Sequence, residues 1–169
     1  MKAFFDAFFR PVYAHVLRMV GDVSQAEDLT QEVFVQIHAK VELYDAERDP
    51  LPWVFTIATN IIRSHWRHVG VRESKRTDDV PGEALADESA TPIEAVGDDE
   101  ARSRVATAVS RLPEELRQVV LLRSYEGLAF EAIAQTLELT EVAARKRYSR
   151  ALARLRKDLG VITAEGGAS

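Results

Sequence analysis

The sequence contains no cysteine among its 169 residues. It can therefore form neither a disulfide nor a thiolate metal site, which fits a reducing compartment such as the cytoplasm. No stretch approaches the ~18 apolar residues of a membrane-spanning helix. Asp6, Arg10 and Pro11 interrupt the apolar N-terminus, so it makes a poor signal peptide. We expect a cytoplasmic protein with no membrane insertion.

Recognisable enzyme motifs are also absent. The chain has no glycine-rich phosphate loop and no nucleophile motif. His65 and His68 lie three residues apart in a helical pattern, but no third ligand stands near them in sequence, which argues against a metal site. We therefore expect no catalytic residue, no metal and no cofactor, and an enzyme is the weaker alternative.

Negative charge is concentrated in one segment, although the whole chain carries a net charge of −5. Residues 1–76 carry ten basic and ten acidic side chains, and residues 102–169 carry twelve basic and eight acidic. Residues 77–101 carry nine acidic side chains and no basic one. This segment also contains proline and glycine and little hydrophobic periodicity, so it predicts a flexible acidic linker.

Helical periodicity recurs on both sides of the linker, and no segment has a convincing strand pattern. The sequence predicts an all-α protein with two small helical domains. The predicted boundaries are 1–76 for the first domain, 77–101 for the linker, 102–160 for the second domain and 161–169 for a tail.

The second predicted helix has one polar face that is a candidate docking surface. We expect the first helix to end at Gly21, and the second to begin at a capping box formed by Ser24 and Glu27. The face opposite the apolar side carries Asp28, Gln31, Glu32 and Val35. A solvated face is the ordinary interpretation, but an exposed valine among acidic neighbours favours docking.

The third predicted helix carries a polar stripe. Pro52 suits its first turn, where a missing N–H costs little. At 100° per residue, the apolar side chains fall on one side of the helix. The other side carries Thr56, Thr59, Asn60, Arg63 and Arg67, and Arg72 follows in a basic run. These groups suit phosphates and base edges, although charge alone would also allow a solvated basic face.

Residues 125–157 predict a helix-turn-helix whose last helix is strongly basic. Between Arg145 and Lys157 there are seven basic residues and no acidic one. A basic helix in this position indicates DNA recognition, with Arg150 or Lys146 able to contact guanine O6 and N7. The candidate DNA-binding residues are Arg145, Lys146, Arg147, Ser149, Arg150 and Arg154.

These motifs, taken in order, resemble those of an extracytoplasmic-function (ECF) sigma factor, the minimal two-domain sigma of bacterial RNA polymerase. The N-terminal marks are residues 26–34 (AEDLTQEVF) and 52–60 (PWVFTIATN). The C-terminal marks are 112–114 (LPE), 119–123 (VVLLR), 126–128 (EGL) with 133–134 (IA), and 145–147 (RKR) with 150–151 (RA). The resemblance covers residues 4–158.

The resemblance implies a promoter-specificity subunit that directs RNA polymerase and assists promoter melting. Asp28, Gln31, Glu32 and Val35 would dock on the β′ clamp helices of core polymerase. The third helix, with Thr56, Thr59, Asn60, Arg63, Arg67 and Arg72, would read the −10 element. The helix-turn-helix would read the −35 element through the six residues of its basic helix. The implied partners are promoter DNA, core polymerase (also through the β flap) and an anti-sigma factor.

Three residues depart from the family pattern. Ala129 stands where a helix-capping Ser or Thr is usual, which forgoes about 1 kcal/mol. Glu138 replaces the usual glycine of the turn, so a non-glycine residue is expected at positive φ. Val142, which we expect to pack within the helix-turn-helix, replaces a common small residue.

Two non-enzymatic alternatives stay open. An ordinary helix-turn-helix regulator without polymerase docking would explain residues 102–158. It leaves unexplained the acidic face of the second helix and the polar stripe of the third. A sigma-like adaptor without promoter activity is the other alternative, and polymerase-dependent initiation separates it from a sigma factor.

Overall fold

A computed structural model describes residues 2–73 and 99–160. Most of the predicted linker and the whole predicted tail lie outside these ranges. The described residues are helical and include no strand, which confirms the all-α prediction. The helices are α1 (Lys2–Val20), α2 (Val23–Lys40), α3 (Pro50–Glu73), α4 (Asp99–Ser110), α5 (Glu114–Val120), α6 (Phe130–Leu137) and α7 (Glu141–Asp158).

The helix ends of the first domain follow from local chemistry, with one correction. Gly21, at φ +74°, follows the last residue of α1 as expected. The N-cap of α2 is Asp22, whose carboxylate accepts a hydrogen bond from the Gln25 backbone N–H at 2.8 Å. The predicted cap at Ser24 is therefore wrong, because Asp22 already caps a helix in which Ser24 belongs to the first turn. Pro52 lies in the first turn of α3, as predicted.

The second domain contains a widened turn between α5 and α6. Residues Leu121–Tyr125 are π-helical, and the Glu126 N–H donates to the Leu121 carbonyl at 3.1 Å. A π turn contains one more residue per hydrogen-bonded ring than an α turn does. The chain then leads into α6 and α7, which form the predicted helix-turn-helix.

Two of the three unusual residues of the helix-turn-helix are placed as the sequence predicts. Glu138 ends α6 in the left-handed region, at φ +56° and ψ +46°. Ala129 is the N-cap of α6 and offers no side-chain hydrogen bond, whereas Thr140 caps α7 by accepting from the Ala143 N–H at 3.1 Å. The packing prediction for Val142 is wrong, because its side chain is 62% exposed.

The two domains share their hydrophobic core. One cluster joins α1, α2 and α3 to α4, the α5 region and α7. A second cluster consists of C-terminal residues, including Val119, Leu122 and Ile133, together with Phe55 from α3. Phe55 is fully buried. The described parts of the chain therefore pack as one body, with α3 contacting α6 across the domain boundary. We call this packing the closed arrangement.

We expect Glu138→Gly to raise the free energy of unfolding by about 1 kcal/mol, because glycine adopts positive φ without a Cβ clash. Urea unfolding followed by circular dichroism measures this change. The matched control is Glu138→Ala, which removes the same carboxylate but keeps the Cβ atom. If both variants gained equally, the gain would come from the charge and not from the backbone.

Candidate nucleic-acid interfaces

The basic face of α7 is the most exposed of the candidate interfaces. The N-cap at Thr140 fixes the start of this helix, and Ala144, Ala151 and Leu155 bury its opposite side. The solvent-facing candidates are Lys146, Ser149, Arg150 and Arg154. Four polar side chains on one helix face, with three positive charges, suit the groove and phosphates of duplex DNA.

The other two arginines of the predicted set have partners within the protein. Arg145 donates from Nε and Nη2 to Glu141 Oε1 at 3.1 and 2.6 Å, and its guanidinium lies 4.5 Å from the Phe130 ring centroid. Arg147 is half-buried, and its Nη2 lies 3.6 Å from Glu115 Oε2 on α5. Arg145 is thus held at the exposed surface by Glu141 of its own helix and by the Phe130 ring of α6, and Arg147 turns towards α5.

Sequence reasoning missed Val142 as a candidate contact residue. It is exposed in the first turn of α7, at the end of the helix where recognition helices meet base edges. Lys146 and Ser149 follow four and seven residues later, so the three side chains share one face. The hydrophobic pattern alone placed this valine in the core, and only its exposure in the structure shows otherwise.

The polar stripe of α3 is divided between solvent and the second domain. Asn60 and Arg67 are exposed, whereas Thr59 is 2% exposed. The Thr56 and Thr136 hydroxyl oxygens lie 3.1 Å apart. Because Thr56 already donates to the Pro52 carbonyl at 2.7 Å, the Thr136 hydroxyl is the donor between them.

Arg63, about two turns of α3 after Thr56, extends the same contact. Its Nη2 donates to the Leu137 carbonyl of α6 at 3.2 Å. The stripe is therefore only partly exposed, since α6 lies against Thr56 and Arg63, and Thr59 lies between them on the same face. The side chain of Arg72 lies outside the described part of α3.

Charged groups from both domains meet near Arg63. Partial burial raises the pKa of the Glu114 carboxyl, and the positive charges of Arg63 and Arg117 oppose that rise. Burial also lowers the pKa of the Arg117 guanidinium, and Glu114 opposes this change. The guanidinium of Arg63 thus interacts with the second domain through its charge as well as through a hydrogen bond.

The α2 face (Asp28, Gln31, Glu32 and Val35) is exposed as a whole, and Val35 is 64% exposed. Beside it, Gln31, Val35 and His38 border a groove with three aromatic rings from α1 and α2. The Phe5 and Phe34 centroids are 4.7 Å apart, and the Phe9 and Phe34 centroids are 6.0 Å apart. Phe5 and Phe9 recur at helical spacing with Val12 and Val16, which indicates one apolar stripe along α1, yet both rings reach solvent. An apolar patch with a polar rim is typical of a protein interface.

Within residues 2–73 and 99–160, no cluster of three or more His, Asp or Glu side chains is placed to hold a metal ion. The two histidines of α3 have separate neighbours, since His65 Nε2 lies 3.0 Å from Gln25 Oε1 and His68 Nδ1 lies 2.6 Å from the Ser64 carbonyl. Over the same ranges, no helix is both long and apolar enough to span a membrane.

Comparison with known sequences identifies both halves of the chain. A family model described as Sigma-70 region 2 matches residues 4–70, and one described as Sigma-70, region 4 matches residues 102–155. RNA polymerase sigma factor CarQ of Myxococcus xanthus is 32% identical, over 96% of this chain and 92% of that protein. ECF RNA polymerase sigma factor SigL of Mycobacterium tuberculosis is 31% identical, over 95% of this chain and 91% of SigL.

Solved structures show the same fold. The sigma factor RpoE in complex with the anti-sigma factor NepR, from Bartonella quintana, matches with a TM-score of 0.76 at 22% identity, over 95% of this chain and 96% of that chain. CnrH in complex with the cytosolic domain of CnrY matches with a TM-score of 0.65 at 19% identity, over 96% of this chain and 88% of that chain.

We expect Arg154→Ala to weaken binding to duplex DNA of any sequence and to lower the slope of log K against log salt by about 1, because one phosphate contact is lost. Fluorescence anisotropy at several salt concentrations measures both quantities. Arg104→Ala is the control, since this exposed arginine of α4 lies outside the basic face of α7. An unchanged slope for Arg154→Ala would contradict a phosphate contact at this side chain.

Proposed function

The chain belongs to the ECF family of RNA polymerase sigma factors, and we propose which of its surfaces bind core polymerase and which bind promoter DNA. Its function is that of a sigma factor, which directs bacterial RNA polymerase to promoters. The first domain (1–76) docks on core polymerase and reads the −10 element, and the second domain (102–160) reads the −35 element. The two relatives named above are both described as RNA polymerase sigma factors.

The α2 face binds the β′ clamp helices in this proposal. Its support is the exposure of Asp28, Gln31, Glu32 and Val35 on one side of a rigid helix, next to the aromatic groove of Phe5, Phe9 and Phe34. A central apolar contact with a polar surround is the usual composition of a stable interface. The second domain would add a contact to the β flap.

The exposed basic face of α7 is the observation that carries the DNA-binding proposal. Lys146, Ser149 and Arg150 would contact base edges of the −35 duplex, and Arg154 would hold a phosphate. Arg145, fixed by Glu141 and Phe130, and Arg147, paired with Glu115, would flank this contact. Asn60 and Arg67 of α3, with Thr56, Thr59, Arg63 and Arg72, would bind the melted −10 strand.

An anti-sigma factor and a cytoplasmic location complete the proposal. One solved structure with this fold is described as the sigma factor RpoE in complex with the anti-sigma factor NepR. This description supports an anti-sigma factor as a partner of the present chain. Bacterial RNA polymerase works in the cytoplasm, so a sigma factor must reach it there.

Multi-round transcription with purified core polymerase and a genomic fragment library tests the function. We expect transcripts that appear only with this protein and share two upstream elements. Protection of duplex fragments by the protein alone, with no new transcripts, would instead support an ordinary helix-turn-helix regulator.

We expect Val35→Asp to raise the Kd for core polymerase at least tenfold, because a charge replaces an apolar contact at the centre of the proposed docking face. Anisotropy of the labelled protein titrated with core polymerase measures this change. Leu43→Asp is a matched control, since Leu43 is 84% exposed and lies in the short turn after α2. An equal rise in Kd for both variants would contradict a specific role of the α2 face in binding core polymerase.

We expect Val142 to contact a thymine methyl group in the −35 element, since apolar side chains read that group. Replacing this thymine by uracil should weaken binding of the unchanged protein by about 0.8 kcal/mol, or roughly fourfold. Val142→Ala should bind the thymine and uracil duplexes equally well. The control is Val105→Ala, which changes an exposed valine of α4 and should still bind the thymine duplex more tightly than the uracil duplex. If replacing thymine by uracil changed the affinity of both variants equally at every position, the contact would be refuted.

A further inference from the structure

The polar stripe of α3 and helix α6 form an interface between the two domains. Phe55 anchors it, because its ring is fully buried among residues of the second domain. Next to this ring, Thr136 donates to Thr56, and Arg63 donates to the carbonyl of Leu137. Thr136 is 1% exposed, so its hydroxyl is enclosed by this contact. Enclosed polar groups need partners, and here each domain supplies partners to the other.

A second group of contacts joins α1 to the same domain. Arg117 Nη1 donates to the Met19 carbonyl at 2.9 Å. His15 Nδ1 lies 3.5 Å from Glu126 Oε1, and both side chains are almost completely buried. The interface therefore combines apolar burial with polar contacts at several separate points, which fixes one relative position of the domains.

We propose that the second domain is an intramolecular competitor of the promoter strand for the polar stripe of α3. This inference rests on the proposed function, in which the stripe reads the −10 element. While the Thr56 hydroxyl and the Arg63 Nη2 atom are bonded to α6, these atoms are not available to a base or a phosphate. Thr56 and Arg63 thus bind either Thr136 and Leu137 or the DNA strand.

The competition affects one of the three proposed surfaces and spares the other two. The α2 face is exposed in the closed arrangement, and so are Lys146, Ser149, Arg150 and Arg154 of α7. The closed arrangement can therefore bind the −35 duplex, but it keeps Thr56 and Arg63 of the −10 reader in contact with α6, while Asn60 and Arg67 stay exposed. Reading of the −10 element then requires α6 to leave α3.

A reversible crosslink can hold the interface shut. The chain has no cysteine, so a Thr56→Cys, Thr136→Cys double variant contains just two thiols. The two hydroxyl oxygens that the sulfur atoms replace are 3.1 Å apart, which suits a disulfide after a small adjustment. We expect the oxidised variant to keep its affinity for the −35 duplex. It should lose binding of a −10 single-stranded oligonucleotide that lacks the −35 element, and reductant should restore that binding to the level of a Thr56→Cys single variant, which lacks the same hydroxyl.

A variant that separates α6 from α3 tests the same inference in the opposite direction. Thr136→Lys places a positive charge in the contact between α6 and α3 without altering any proposed DNA contact. If the closed arrangement holds about nine molecules in ten, opening it should strengthen −10 strand binding by the free protein about tenfold. Binding of the −35 duplex reports that the second domain is still folded, and the radius of gyration from solution scattering reports domain separation.

Equal −10 strand binding by the oxidised and reduced forms would overturn the competition while leaving the sigma-factor assignment intact. A Thr136→Lys protein that separates its domains but gains no strand affinity would overturn it as well. If the reduced double variant and the unchanged protein both bind the −35 duplex but never the −10 strand, even with core polymerase, the proposed −10 reader is wrong. The inference then falls with it.

Discussion

Burial of the Phe55 ring is the contact on which the arrangement of the whole molecule depends. This side chain belongs to α3 but completes the apolar core of the helix-turn-helix domain. Burying an aromatic ring contributes about 1.5–3 kcal/mol, which a separated domain would lose to water. The surrounding hydroxyl, guanidinium and carbonyl groups are then enclosed, and their hydrogen bonds across the boundary keep that enclosure from being unfavourable.

The surfaces of the molecule differ in how they relate to this shared core. Side chains of the α2 face and of the basic face of α7 point away from it and are exposed whether or not the domains touch. The α3 stripe lies beside Phe55, so its availability depends on the domain contact. The same helix therefore supplies both the residue that closes the molecule and residues proposed to read DNA. Recognition of a promoter and internal packing are alternatives for one helix.

The sequence predicts the helices better than it predicts the contacts between them. Hydrophobic periodicity identifies the helices and the helix-turn-helix, and the positive φ of Glu138 follows from the turn that it ends. Periodicity cannot distinguish a core position from an exposed apolar one. The pattern therefore places Val142, Phe5 and Phe9 inside, although all three reach solvent. Thr59 shows the reverse error, because it belongs to the polar stripe and yet is buried. No local sequence pattern predicts that His15 lies beside Glu126.

The π-helical turn at Leu121–Tyr125 sets how far the residues after it are rotated about the helix axis relative to α5. Each residue of an α-helix advances the chain by about 100° around its axis. Deleting one residue here would restore a regular helix and rotate Tyr125 and Glu126 by that angle relative to α5. Glu126 would then no longer face His15, and the Tyr125 ring would leave the guanidinium of Arg18, which now lies 4.5 Å from its centroid. The length of this single turn, more than the identity of any side chain in it, decides whether the two domains can meet in register.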